Sequence, residues 1–442
     1  MSLKNRRHFI TDTSLGVAGA TSLSLSAPKF VHASNSNNRV RIGVIGCGGQ
    51  GSSGHIDGLR TLGNKNVEIV YVCDPDERRR TEAAKRAGGA KAVNDLRVIL
   101  DDQNIDAVTI ATPDHWHVPA ALLAMNADKH VYVEKPCSHN LREGRLLVEC
   151  SQRTQKIVQH GTQARSNKGF IEAVQMLHDG VIGDVLTAKA WNIQRRNHIG
   201  QKQPSDPPTG FDFDQWTGPA PKLPFQENRH HYNWHWWYNF GTGDLGNDGV
   251  HEFDMARWGL GMNTHPTNIS VCGGKYYFDD DQEFPDTVTA TFEYPGDGHV
   301  GNRRQLIFEM RIWSTNYPYN VDGGVEFLGT KGKMFFSRRG KFQLWGERNK
   351  PLTQKPSVTP EMNVVNNLAA WLEAIRENVK PTASAHEAHL SASLCHLANI
   401  ACRTNQSFTF DSSSERILDN ATANALLSRS YRDGHWATPE ES

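Results

Sequence analysis

The chain has 442 residues, enough for two domains, and its 48 basic residues balance 48 acidic ones for a formal net charge of zero. That balance provides neither the basic face that nucleic acid requires nor a polybasic patch for an anionic membrane, so the expected partner is a small molecule. Seven cysteines, at 47, 73, 137, 150, 272, 395 and 402, are odd in number and lack CxxC spacing, which indicates neither a zinc ribbon nor a disulfide framework.

The first 33 residues read as a leader rather than as fold. Asn5-Arg6-Arg7-His8-Phe9-Ile10 resembles a twin-arginine export signal, Thr13 to Pro28 follows without a charge, and Val31-His32-Ala33 offers a small-residue cleavage site before Ser34. The uncharged run is too short and too rich in Ser, Thr and Gly to span a bilayer, and no later segment qualifies. The expected location is therefore periplasmic or exported. Export of an already folded chain suits a protein loaded with a cofactor in the cytoplasm.

Residues 39–163 read as a nucleotide-binding domain. Val40 to Ile45 is a short apolar strand that runs into Gly46-Cys47-Gly48-Gly49-Gln50-Gly51. A bare GxGxxG is weak evidence, but this one follows a strand, precedes a helix and is succeeded by a second strand, Glu68 to Cys73, that ends on Asp74. The glycines provide the tight turn, backbone access to a pyrophosphate and close helix packing, and the carboxylate is placed to accept ribose hydroxyls. A negative charge there repels a 2′-phosphate, so NAD is expected ahead of NADP, although Arg78, Arg79 and Arg80 lie close enough in sequence to pair with such a phosphate. A helix at Arg78 to Ala87 and a weak strand at Lys91 to Val93 follow.

Asp106 to Thr112 is a β-branched run of the length of a strand buried on both faces, Val118 to Ala127 an Ala/Leu-rich helix, and His130 to Glu134 the next parallel strand. Ligands of an open parallel sheet bind beyond the carboxyl ends of its strands, where Thr112-Pro113-Asp114-His115-Trp116-His117 and Glu134-Lys135-Pro136 both fall. A helix at Leu141 to Arg153 and a strand at Lys156 to His160 complete a doubly wound pattern. At the two loops the chain resembles the glucose-fructose oxidoreductase/inositol dehydrogenase (Gfo/Idh/MocA) family, in which a TPxxxH loop and a Glu-Lys-Pro tripeptide flank the nicotinamide. The resemblance implies that Thr112, Pro113, His117, Glu134 and Lys135 border the cofactor, that Lys135 is catalytic and that Pro136 follows a cis bond.

After a helix at Lys168 to His178 the periodicity changes. Gly183 to Gln194, Thr267 to Gly273, Thr287 to Tyr294, Gln305 to Trp313 and Gly324 to Gly329 read as strands of a mostly antiparallel, open sheet. Residues 164–442 are thus expected to form an α+β substrate domain beside the α/β Rossmann domain, with two carboxyl-terminal helices at Val364 to Glu377 and Glu387 to Arg403. The family resemblance implies a homo-oligomer joined through the far face of that sheet. It extends to Phe211 to Pro221, which is similar to a segment of exported sugar-active members, and to Phe408 to Asp411 and Asn420 to Arg432.

In Tyr232 to Gly259 a Gly-rich turn leads into a helix from about Gly249, for which Asn247 or Asp248 is the expected amino-terminal cap. Helical spacing puts Asn247, His251, Asp254 and Trp258 on one face. His251 matches the family histidine that works with the lysine, and is the second expected catalytic residue. Asn247 stands where many members carry an aspartate, with Asp248 one position out of register. An amide orients a substrate hydroxyl but holds no proton. Gln163 and Arg165 lie at the domain junction, and Arg165 is a candidate for substrate binding. His230, His231 and His235 lie among Trp234, Trp236 and Trp237, without a carboxylate or cysteine at ligand spacing, so no metal is assigned. Those aromatic rings suit the C–H faces of a sugar as well as they suit a packed cluster.

The expected function is oxidation of a secondary hydroxyl of a sugar, sugar derivative or polyol, the hydroxyl being held by Lys135 and His251. Free NAD is scarce outside the cytoplasm, so a tightly held cofactor recycled on the protein is expected. An NAD-dependent, redox-neutral glycosidase is the alternative, and the substitution at Asn247 also leaves open a non-catalytic, NAD-bound sugar-binding protein.

Overall fold

The computed structural model describes residues 39–63, 66–296 and 299–439, so the expected leader lies outside the described residues. Six parallel strands form the first sheet: β1 (Val40–Ile45), β2 (Val67–Cys73), β3 (Lys91–Val93), β4 (Ala107–Ile110), β5 (His130–Val133) and β6 (Val158–His160), in the order β3-β2-β1-β4-β5-β6. The chain winds outward from β1 to β3 and then crosses back to place β4 on the other side of β1. That reversal opens a crevice at the carboxyl ends of β1 and β4, because the connections leave the two strands in opposite directions.

Both faces of this sheet are covered, which explains its uninterrupted apolar runs. One face packs on the helices His117–Asn126 and Leu141–Thr154, together with Ala385, Ala388 and Ala392. The other buries Ile42, Val44 and Tyr132 against Leu368, Trp371 and Leu372 of the helix Val364–Glu377. The carboxyl-terminal helices thus return to the cofactor half and close it. Their amphipathic pattern was legible, but not which apolar face they would cover.

The second sheet has nine strands: β7 (Val185–Ile193), β8 (Asn268–Gly274), β9 (Thr287–Tyr294), β10 (Arg304–Arg311), β11 (Gly323–Gly329), β12 (Gly332–Phe336), β13 (Phe342–Gly346), β14 (Phe408–Asp411) and β15 (Arg416–Ile417). It is antiparallel apart from the β10–β7 pair. β12 and β13 were not foreseen. The two-residue turn Thr330–Lys331 between paired Gly329 and Gly332 makes a hairpin where the sequence shows only a short Gly/Lys interruption. One face buries Phe292 and Phe308 against Phe253 of the helix Gly249–Gly259, the Phe253 and Phe308 rings stacked at 4.0 Å. The other face exposes Lys189, Asn268, Ser270 and Thr289. Among the described residues no helix is long and apolar enough to cross a membrane.

Trp371 is fully buried, with its ring 5.7 Å from that of Tyr132. Trp371→Ala is expected to destabilise the protein by about 3–5 kcal/mol, seen as a lower urea midpoint of the cofactor half. An unchanged midpoint would mean that the helix does not support the parallel sheet.

Candidate active site

The glycine turn is built by close approach. Gly46 has φ +88°, and a Cβ there would lie 2.5 Å from the Ala111 carbonyl oxygen; a Cβ on Gly51 would lie 1.9 Å from that of Gly46. These two positions therefore exclude side chains and draw the turn against β4 and the following helical stretch, Gln50–Ile56. A Cβ on Gly49 would meet nothing, so the backbone there lies bare to the crevice, as a pyrophosphate requires. Asp74 accepts from Cys47 N (2.8 Å) and Asp76 N (2.9 Å), one bond to each carboxylate oxygen, so the residue expected to meet a ribose also locks the turn. Burial raises its carboxyl, against those two amide bonds.

Lys135 ends the Glu-Lys-Pro stretch after β5, and the Lys135–Pro136 bond is cis. Its ammonium donates to Asn247, to the backbone oxygen at 2.5 Å and to Oδ1 at 3.3 Å. Beneath it, Glu134 accepts from Gln50 Nε2 at 2.8 Å and lies 3.0 Å from His55 Nε2. Burial would raise the Glu134 carboxyl, but the His55 bond and charge, Lys135 and Gln50 outweigh it and hold it down to about 2. His117 sets its two ring nitrogens 2.9 Å from Thr112 O and 2.6 Å from Pro136 O, and so joins the two loops that border the crevice. Burial lowers its pKa despite both carbonyls. The Thr112 hydroxyl is buried without a partner, a polar atom left for a ligand at the end of β4.

Three expectations on the substrate side need correction. Asn247 ends a separate short helix, Gly243–Asn247, and does not share the face of the helix Gly249–Gly259. Neither it nor Asp248 caps the latter with its side chain. The Asp248 carboxylate is drawn instead to Gln194 Nε2 (2.7 Å), Arg196 Nη2 and Arg338 Nη1 (3.0 Å). Burial alone would raise it, and the Arg338, Lys135 and Arg196 charges hold it well below the usual carboxylate range. Arg165, expected at the substrate, grips both oxygens of Asp254 at 2.9 Å and lies 3.4 Å from Glu387, outside the cleft wall. A carboxylate one helical turn after His251 captures it. Gln163 is likewise buried, against the Tyr132 hydroxyl.

His251 is buried, and its Nδ1 has no hydrogen-bond partner. Burial first, then the Lys135 and Arg338 charges, lower its pKa well below the ordinary range, so the imidazole is neutral. The histidines at 230, 231 and 235 turn to Glu227 O, Asp76 Oδ2 and Tyr232 O respectively and share no ligand position. A group the sequence did not single out, His265, His389 and Glu415, does gather its ligand atoms within 4.8 Å. Arg145 already pairs with that carboxylate, so the group forms a hydrogen-bonded ion pair.

These elements surround a cleft of about 440 Å³ whose wall includes Gly46, Gly48, Gly49, Gln50, Asp74, Thr112, Pro113, His117, Glu134, Lys135 and Asn247, while Gly51, Arg165 and His251 lie outside it. A volume in the usual range for small-ligand sites suits a dinucleotide that remains partly open to solvent. Arg79, Asn94, Asp114, Gln215, Trp216, His231, Tyr232, Trp234, His235 and Asp248 also line it. The aromatic run at 232–237 and the Phe211–Pro221 segment were visible signals for part of that set. Nothing in the sequence pointed to Asn94, or to His55 beneath Glu134.

A doubly wound sheet with this turn, strand-end carboxylate and crevice defines a dinucleotide-binding protein. Residues 40–162 match the model for "Oxidoreductase family, NAD-binding Rossmann fold" and residues 181–438 that for "Oxidoreductase family, C-terminal alpha/beta domain". The chain belongs to the Gfo/Idh/MocA oxidoreductases, and its cofactor is NAD. It is 31% identical over 212 residues to a "Glycosyl hydrolase family 109 protein" of Shewanella pealeana, covering 42% of this chain and 45% of that one. It is 24% identical over 301 residues to a "Myo-inositol 2-dehydrogenase" of Thermotoga maritima, covering 67% and 75%. An "Inositol 2-dehydrogenase 2" of Saccharopolyspora erythraea is 30% identical, covering 50% and 54%, so the chain spans about half the length of several curated relatives it matches. Among solved structures, a levoglucosan dehydrogenase in complex with NADH and levoglucosan superposes with a TM-score of 0.63 at 18% identity, covering 84% of this chain and 99% of that one. The WlbA dehydrogenase of Bordetella pertussis gives 0.64 at 18%, with the same coverage. At these identities the superpositions establish the fold.

Asp114 sits in the cleft wall and accepts from Thr242 Oγ1 at 2.6 Å. Burial raises its carboxyl to about 7, against the Thr242 bond and the Lys135 charge. A folded-state value raised above the unfolded one, about 3.9, contributes stability that is fully present below about 4 and is lost as the pH rises through about 7. Asp114→Asn is therefore expected to gain on the wild type between pH 5 and pH 8, by about 1–4 kcal/mol. Thermal unfolding at both pH values checks this; a stability difference independent of pH would contradict it.

Proposed function

We propose that the protein is an NAD-dependent oxidoreductase acting on a secondary hydroxyl of a sugar, sugar derivative or polyol, with the cofactor held tightly and returned to NAD on the protein by reduction of a second sugar. The observation that carries this reading is the Lys135 ammonium. It stands at the mouth of the dinucleotide crevice and is held by the neutral oxygens of Asn247, with a buried neutral imidazole, His251, within its field.

Bound NAD supplies an acceptor for the carbinol hydride. The remaining work falls to the chain. Lys135 donates a hydrogen bond to the substrate oxygen in place of one of its Asn247 contacts, and Asn247 orients the same hydroxyl through its amide. With Lys135 holding the oxygen as an ammonium, the hydroxyl proton passes to the neutral imidazole of His251. Trp234 and Tyr232 in the cleft wall offer ring faces to the C–H faces of a sugar. The twin-arginine-like leader supports an exported location, which favours a cofactor that stays bound. The exposed far face of the nine-stranded sheet supports a homo-oligomer.

The relative named as a family 109 glycosyl hydrolase favours a second reading on the same residues, in which a glycoside is oxidised transiently next to the bond that is cleaved. Sugars, polyols and aryl glycosides supplied with NAD distinguish the two. The first reading predicts a stoichiometric oxidised sugar or NADH; the second predicts release of the aglycone with no net NADH. Lys135→Met is expected to lower turnover by about 10²- to 10⁴-fold while NAD binding persists. Full turnover in that variant would overturn both readings, and unaltered sugar affinity with no turnover in the wild type would point to a binding protein.

A further inference from the structure

Between β7 and the helix Gly243–Asn247 the chain makes a long excursion, residues 194–242, that touches both ends of the cleft. At the end beside Asp74 it lies along the turn that follows β2. Glu77 N donates to Gly210 O at 2.9 Å, Asp212 N to Pro75 O at 3.1 Å, and Phe211 pairs with Asp76 as a single β-bridge. His231 then returns to the same place, its Nε2 2.9 Å from Asp76 Oδ2. The other oxygen of that carboxylate caps the helix Glu77–Arg86 through Arg78 N and Arg79 N, so His231 is tied to a fixed point of the cofactor half.

The next residue faces the opposite end. Arg196 Nη1 donates to the Tyr232 hydroxyl at 2.7 Å, and Arg196 is itself paired with Asp244 and with Asp248 in the cleft wall. Two consecutive non-glycine residues with positive φ, 44° at His231 and 91° at Tyr232, send adjacent side chains to opposite ends of the crevice. Such backbone persists only where surrounding contacts over-determine it. Here those contacts come from the cofactor half on one side and the substrate half on the other.

We propose that His231 and Tyr232 form a clasp across the cofactor groove, so that NAD enters and leaves only when the His231–Asp76 contact opens. A dinucleotide with its ribose at Asp74 and its nicotinamide near Lys135 runs beneath this segment, since His231 and Tyr232 wall the same cleft as Gly48, Asp74 and Lys135. Such a clasp would slow the exchange of NAD, as the proposed tightly held cofactor requires. The inference rests on NAD as the ligand and is independent of which substrate is oxidised.

The test is the rate at which bound NADH leaves the full-length protein, followed by its fluorescence during a chase with excess NAD. His231→Ala is expected to release NADH at least tenfold faster and to copurify with less NAD. Tyr232→Phe, which removes the Arg196 contact of the other arm but keeps the ring and the His231–Asp76 contact, is expected to release it faster than the wild type and more slowly than His231→Ala. A second measurement needs no variant: the NAD-loaded wild type should show more amide hydrogen-exchange protection at residues 208–212 and 230–235 than the same protein stripped of its NAD. Release from His231→Ala within twofold of the wild type, or no gain in protection at those residues, would overturn the clasp. Neither measurement requires turnover, so failure to find an oxidised sugar would leave its outcome unaffected.

Discussion

The hydrogen bond from Lys135 to Asn247 joins the end of a strand in one sheet to a short helix resting on the other, and the site exists only while both stay in register. An ammonium needs oxygen acceptors when it is drawn out of water, and here they are neutral, so its charge is not cancelled by a carboxylate in direct contact. The surrounding structure holds the two ends of this bond. His117 ties Thr112 to Pro136, Gln50 and His55 hold Glu134, and Phe253 stacked on Phe308 fixes the helix that follows Asn247. The glycine turn, the Glu-Lys-Pro loop and the helix Gly249–Gly259 are thereby referred to one point.

The buried charges around that point sort by their partners. Glu134 and Asp248 have cationic or hydrogen-bonding neighbours in contact and stay ionised despite burial. Burial lifts Asp114 to about 7 and Glu252 to about 8, the latter in spite of Arg338 with its Nε 3.2 Å away. The cleft thus contains carboxylates of both kinds, ionised and protonated near neutrality. The departure at Asn247 takes its meaning here. The negative charge absent from that position is present one residue later, in the cleft wall, but Arg196, Arg338 and Gln194 already hold it.

The parts of the site that were legible in sequence are those written contiguously. The glycine turn with Asp74, the Thr112–His117 loop and the Glu-Lys-Pro stretch each carry their chemistry within a few residues, and the parallel and antiparallel halves announce themselves through β-branched runs and turn spacing. What could not be read is pairing at long range. His55 with Glu134, Asp248 with Arg338, His231 with Asp76 and Arg165 with Asp254 are joined only by the fold; in the sequence Arg165 is marked only by its place at the domain junction. The carboxyl-terminal helices show the same limit: amphipathicity located Val364–Glu377 but did not say that its apolar face would close the cofactor domain.

The measurement that tests the account most directly is an absorbance and fluorescence spectrum of the purified protein, recorded before and after addition of sugars, glycosides and polyols, with no NAD supplied. The account predicts that NAD copurifies with the protein and that at least one of these compounds converts it to bound NADH. A protein that is cofactor-free and turns over only with added NAD would contradict the resident cofactor and leave an ordinary dissociable dehydrogenase.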